Sequence, residues 1–426
     1  MADAHTGPSH NVIRSVIPLF AGLVLLMVAT GLVGSLVGIR AELEGFPTLA
    51  IGAVMAMYYG GFLVGSLLIP GRLASVGHIR VFSGLSATAA AAALTYPLFP
   101  NVVVWGLLRF AAGLAMAGVY IAVESWLNAR ASNETRGRLL GTYALVVTLG
   151  LGLGQTLLGA GDPEGFELFT LVGILITVAV VPVALFRLPE PEQRIPSTVS
   201  LGGLVQFAPL GVLGVAVAGA AGGSIYALGA VYGTRVGLTH AQVGAFMALS
   251  LVVAAGSQYP LGALSDRFPR RRVILAVSVG AAATACTAAW LAPTGAGLFT
   301  AAAIYGALTF PMYSLSVSHI NDAAPAHQLV SVAAGIMFVY GVGSVVGPLV
   351  TAGLMVILGP SGYFWSLGAM FIPTIAYAIV RIVSKARPPQ ERFIGLPPRS
   401  SPAVALLADE AGDRPPRADA GAHVDG

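Results

Sequence analysis

Runs of about twenty apolar residues recur from Val16 to the neighbourhood of Arg381, separated by short polar turns. A helix needs about 20 such residues to cross the hydrocarbon of a bilayer. With 56% hydrophobic and only 9% charged residues, the chain has too little polar surface to coat a soluble globule. The sequence therefore predicts an all-α membrane protein. Twelve spans fit, beginning near residues 16, 48, 81, 102, 138, 168, 204, 241, 273, 298, 329 and 362, the least regular run being Leu201 to Val231. The first run lacks a small-residue cleavage site followed by a soluble domain, so it reads as an uncleaved helix.

The basic residues orient these spans. If the N-terminus is cytoplasmic, nineteen of the 22 Lys and Arg fall in cytoplasmic segments, Arg40 and Arg235 fall outside, and Arg109 lies within a span. That asymmetry places both termini inside. The net charge of +4 thus records topology, and no nucleic-acid partner is expected. The lone Cys286 falls within a span, which excludes an intrachain disulfide.

The longest polar interruption before the tail follows six spans. It divides the chain into a cytoplasmic N-terminus (1–15), a first six-helix bundle (16–187), a linker (188–203), a second six-helix bundle (204–384) and a tail (385–426). The tail is rich in Pro, Ala, Asp and Arg without apolar periodicity, and is expected to be disordered and cytoplasmic. Shifting the second half by 193 positions lays Tyr313 on Tyr120, Asn321 on Asn128, Gly343 on Gly150 and Gly347 on Gly154. Two six-span repeats of equal orientation imply a pseudo-two-fold axis along the membrane normal and a central cavity, a transporter architecture.

The stretch from Gly262 to Arg272, with Leu264, Asp266, Arg267, Arg270 and Arg271 between, resembles the signature of the major facilitator superfamily between spans 8 and 9. Pro269 stands where that signature has its later glycine. Its counterpart from Pro70 to Arg80 keeps Gly77 and Arg80 but has Ala74 and Ser75 where the family has Asp and Arg. The resemblance implies a cytoplasmic gate built from Gly262, Asp266, Arg267 and Arg270, joined in the first half by Arg80 and Glu124, with Arg80 or Arg72 as the partner of Glu124. A carboxylate and guanidinium in a tight turn can pair with each other and with helix ends of the opposite half. The alternative is that the arginines only anchor topology.

Arg109 to Gly113 resembles the family's arginine motif in span 4. Arg109, Gly113, Met116, Tyr120 and Glu124 fall on one helical stripe. A lone Arg deep in a span costs roughly 2.5 to 3.5 kcal/mol on insertion scales. It must face a cavity or a partner, backbone carbonyls of a neighbouring span included. Glu124 lies about 22 Å further along the helix, too far to pair with it. In span 5, Gly141, Gly150, Gly154 and Gly159 resemble the glycine pattern of the family's antiporters, with Gln155 where a proline is expected; close helix packing is the alternative. His319 and Asp322, three apart at the end of span 10, are candidates for protonation or else a capped helix end. Val123-Glu124-Ser125 and Asn321 to Pro325 look like a YcaD-like bacterial branch of the superfamily.

The sequence holds no phosphate-binding loop, no clustered metal ligands and no nucleophile with a base at usable spacing, so neither an enzyme nor a cofactor is expected. The expectation is a monomeric secondary active transporter of a bacterial inner membrane that moves a small organic solute by alternating access, with proton-coupled export as one form. Lining by spans 1, 4, 7 and 10, which the resemblance implies, makes Ser35, Arg109, Tyr120, Tyr226, Tyr305 and Tyr313 the cavity candidates. One strong cation among aromatic and hydroxyl groups suits a weakly anionic or amphipathic solute. The alternative is a sensor or assembly factor of the same fold without turnover, suggested by Ala74 and Ser75.

Overall fold

The computed structural model describes residues 8–130, 135–185, 204–206, 208–291, 294–324 and 329–384, so the expected linker and tail lie outside the described residues. Among these residues all regular structure is helical. The first half contains α1 (Pro8–Leu43), α2 (Thr48–Val76), α3 (His78–Thr95), α4 (Val102–Arg130), α5 (Arg136–Thr156) and α6 (Glu167–Leu185). The second contains α7 (Pro209–Arg235), α8 (His240–Arg267), α9 (Arg270–Leu291), α10 (Ala296–Thr309), α11 (Pro311–Asn321), α12 (Leu329–Leu358), α13 (Gly362–Ala369) and α14 (Ile372–Ser384).

Helix α10 and helix α11 form one apolar span broken at Pro311. The apolar stretch Val332–Arg381, at 50 residues, is far longer than one crossing requires. It is split by a turn at Gly359, whose φ of 65° suits glycine. Twelve crossings result. Most starts fall within three residues of those expected, but α1 begins eight residues early, at Pro8, and the irregular Leu201–Val231 run becomes a helix from Pro209, where proline is tolerated because first-turn N–H groups have no intrahelical partner.

Lipid gives helices no hydrophobic reason to associate, so close backbone packing at small residues matters. In the first half α1 packs on α5 and α6, α2 on α4, and α3 on α4 and α6; in the second α7 packs on α12 and α8 on α10. A Cβ on Gly154 would overlap the Val28 carbonyl oxygen of α1, and one on Gly347 would overlap the Ala220 carbonyl oxygen of α7. These glycines are 193 positions apart and make the same contact in each repeat. The halves meet along α2 with α12, α5 with α8, and α1 with α7.

One end of the assembly carries Arg72, Arg80, Arg267, Arg270, Arg271 and Arg272 at the α2–α3 and α8–α9 turns, and is termed the basic end.

Candidate functional site

At the end opposite the basic one, the halves are tied by charge. Arg235, in the last turn of α7, donates to both carboxylate oxygens of Glu42 on α1 at 2.8 and 2.7 Å, and to the Thr48 hydroxyl of α2 at 2.9 Å. Arg40 stays within the first half, bonding Glu44 and the Pro163 carbonyl. Close contacts reinforce this end: a Cβ on Gly244 of α8 would overlap the Gln155 carbonyl oxygen, and one on Gly52 of α2 would overlap Ala352 of α12.

Deeper in, polar groups line up near the seam. Ser35 is buried and donates to the Gln155 side-chain oxygen at 2.5 Å, fastening α1 to α5. Tyr120 directs its hydroxyl at the Met27 sulfur, 3.1 Å away, and packs edge-on against Phe62. Glu124 is fully buried and accepts a 2.8 Å hydrogen bond from the Tyr143 hydroxyl of α5. Tyr313 lies in the second half, on α11. Tyr313 in turn meets Tyr340 edge-on at 5.1 Å, and the half-buried Tyr226 meets Phe310 at 5.7 Å.

At the basic end, Arg270 is a hub. Its Nε donates to Asp322 at 2.6 Å with both side chains almost fully buried, one NH group donates to the Ser265 hydroxyl at 2.9 Å, and the other lies 3.8 Å from Asp266. Helices α8, α9 and α11 are thereby stapled within the second half.

Arg109 is buried elsewhere. It faces a cavity lined by Thr30, Tyr58, Ala89, Tyr96, Met116 and Ile176 among others, all from the first half. Its guanidinium sits over the Tyr58 ring, 4.8 Å from the centroid.

With this geometry in view, the family comparison is decisive: the model for the Major Facilitator Superfamily matches residues 19–348 and 210–410. The chain belongs to the major facilitator superfamily. It is 31% identical over 348 residues to the MFS-type transporter YcaD of Escherichia fergusonii, covering 80% of this chain and 89% of that one. To the YcaD of Salmonella arizonae it is 30% identical over 347 residues, with the same coverage. Among solved structures, the nucleoside transporter NupG superposes with a TM-score of 0.68 at 14% identity, covering 87% of this chain and 96% of that one. A bacterial homolog to the human lysosomal transporter Spinster gives 0.66 at 15% identity, covering 96% and 100%. The two structures establish the shared fold, and the family makes this chain a multi-pass inner-membrane transporter.

Within the superfamily fold, the expected site residues separate into groups. Ser35, Tyr120, Glu124, Tyr226 and Tyr313 lie on α1, α4, α7 and α11. Tyr305 instead turns into its own bundle, where its hydroxyl donates to the Leu367 carbonyl at 3.2 Å. Asp322 accepts from Arg270, which the α8–α9 turn brings against that carboxylate. Glu124 is fully buried, whereas Arg72 and Arg80 are exposed. Sequence reasoning missed Tyr143 as the hydroxyl that serves Glu124, Tyr58 as the face under Arg109, and Glu42 as the partner of Arg235. Only the last left a signal: Arg235 was one of two basic residues on the far side of the predicted topology.

Proposed function

We propose that the protein is a secondary transporter that carries a small organic solute by alternating access of its two bundles, with Glu124 as the proton-coupling group. The supporting observation is the latch at one end, where the Glu42 and Arg235 pair joins the two halves. Such an arrangement suits a carrier latched at one mouth, since a bistable seam needs bonds that form in one state and are exchanged in the other. By the excess of arginine, the basic end is the cytoplasmic one and the latched mouth is the outer one.

The solute class follows from the groups near the seam. Tyr120, Tyr226 and Tyr313 offer aromatic faces, and the buried acidic side chain one turn along α4 from Tyr120 is Glu124. That favours an amphipathic molecule that is neutral or carries one positive charge, in competition with a proton. The anionic class loses its basis because Arg109 faces a cavity of the first bundle.

The test begins with a thermal-shift screen of purified protein against metabolites and drugs, since ligands that bind the folded state stabilise it. The hit is then applied to single-cysteine probes, in a Cys286→Ser background, at Thr48 and at the exposed Leu67, further along α2 toward the basic end. A cycling carrier changes the two reactivities in opposite directions. Fixed reactivity at both sites in the presence of a stabilising ligand overturns the alternating-access reading, and solute flux indifferent to an imposed pH gradient overturns the coupling.

A further inference from the structure

The cavity beside Arg109 has a composition that its location does not explain. Arg109 is 5% exposed and begins about 10 Å along α4, within the hydrocarbon-spanning stretch. Its guanidinium is charged at any physiological pH. No residue lining the cavity is acidic, and among the described residues no ion pair includes Arg109. The Tyr58 ring supplies a cation–π contact, which compensates part of the desolvation but leaves the net charge in place. The Nε of Arg109 is buried without a hydrogen-bond partner among the described residues, and the buried Tyr96 hydroxyl, which lies beside the Arg109 guanidinium, has no acceptor for its own proton there.

The two unsatisfied groups belong to one small space. The cavity has a volume of about 20 Å³, which admits one water-sized particle and excludes any organic solute. Its hydroxyls are not equivalent. Thr30 donates its proton to the Leu26 carbonyl at 2.7 Å, so it offers the cavity only lone pairs. Tyr96 is fixed by Trp105, edge-on at 5.3 Å, and by Phe169 at 5.9 Å. The space is thus bounded by N–H and O–H donors on a fixed frame, with one uncompensated positive charge.

We propose that this cavity is a binding site for a single small halide, chloride in the cell, held by the Arg109 guanidinium and the Tyr96 hydroxyl. A monatomic anion matches the volume, accepts from both donors and cancels the buried charge. Water matches only the first two. Bound there, the halide ties α1, α2, α3, α4 and α6 into one rigid body around the arginine, independently of what the seam transports.

The experiment uses the full-length protein purified in gluconate and titrated with chloride or bromide at constant ionic strength, with thermal unfolding as the readout. Both halides are expected to raise the unfolding temperature saturably, whereas sulfate, too large for the cavity, does not. Tyr96→Phe removes one donor and keeps the charge, so the half-saturating chloride concentration should rise about tenfold. Arg109→Gln should abolish the response. A merely structural arginine or tyrosine would lower the baseline stability of the variant and leave its halide dependence intact. Equal unfolding temperatures of the parent in chloride and gluconate overturn the proposal in favour of water. An undiminished response in Tyr96→Phe overturns it as well, and decides the matter if Arg109→Gln does not fold.

Discussion

Arg235 holds Glu42 in a two-pronged grip across the seam, with Nε and one terminal nitrogen each donating to its own carboxylate oxygen. The two residues are 193 positions apart in sequence and belong to different bundles. Bidentate pairing of this kind fixes orientation as well as distance. A pair that joins two bodies at one end stabilises whichever state keeps that end closed.

The side chains of Arg235 and Glu42 are 21% and 22% exposed, so solvent and salt weaken their attraction. A contribution of about 1 kcal/mol is appropriate for such a pair, equivalent to roughly a fivefold change in the ratio of the two states. Glu42→Gln is therefore expected to raise the labelling rate of a cysteine at Thr48 by about that factor. Raising the salt concentration should reproduce part of the effect in the parent. No change in labelling would remove this pair from the latch.

The basic-end network makes a different prediction, because its charges are unequally buried. Asp322 is 3% exposed and bonded to Arg270, whereas Asp266 is 33% exposed and 3.8 Å from the same guanidinium. Removing one partner of a buried pair costs about 3–5 kcal/mol, since the other charge is left without compensation. Asp322→Ala should lower the unfolding temperature and the yield sharply. Asp266→Asn should leave both near the parental values and slow solute transport, as the gate role proposed for that loop requires. Equal stability of the two variants would show that the Arg270 and Asp322 contact contributes little.

Much of this arrangement is legible in the amino-acid sequence. The apolar runs located the spans because a bilayer demands a fixed length, and the 193-residue shift aligned Gly154 with Gly347, which make equivalent contacts in the two bundles. Insertion cost alone marked Arg109 as buried. What helical periodicity could not supply was the neighbour. A stripe gives the direction of a side chain relative to its own helix, and nothing says which helix it meets. Arg109 therefore looked like a wall of the central cavity, and His319 looked like the partner of Asp322. Tyr58, under Arg109, and Arg270, against Asp322, come from 51 and 52 residues away. Ser35 and Gln155, 120 residues apart, were legible only as two polar residues in apolar runs.

Glu124 tests the coupling reading most directly. Gln at this position keeps the side-chain oxygen that accepts from Tyr143, at 2.8 Å in the parent, while removing the group that binds and releases a proton. Glu124→Gln should fold, bind the solute identified by thermal shift, and lose any acceleration of flux by a pH gradient. Tyr143→Phe leaves the carboxylate with one fewer donor, at a cost of about 1.5–3 kcal/mol for the charged form. Its gradient-driven flux is expected to fall while solute binding is retained. Gradient-driven flux that survives in Glu124→Gln would assign coupling to another group.

The glycines of α5 allow an internal comparison. A Cβ on Gly154 would overlap the carbonyl oxygen of Val28, backbone that cannot swing aside, whereas nothing lies within 4 Å of the position a Cβ would take on Gly141. Gly154→Ala must therefore push α5 away from α1 or strain both, an overpacking cost of about 1–3 kcal/mol. Gly141→Ala meets no atom and gains helix propensity, by up to about 1 kcal/mol. Thermal unfolding in detergent should place Gly154→Ala clearly below the parent and Gly141→Ala at or slightly above it. Gly347→Ala, facing the carbonyl oxygen of Ala220, should fall with Gly154→Ala if the two repeats use the same contact. Were all three variants to unfold together, close approach at these glycines would not be what holds each bundle, and the glycine pattern of span 5 would need a role in the transport cycle instead.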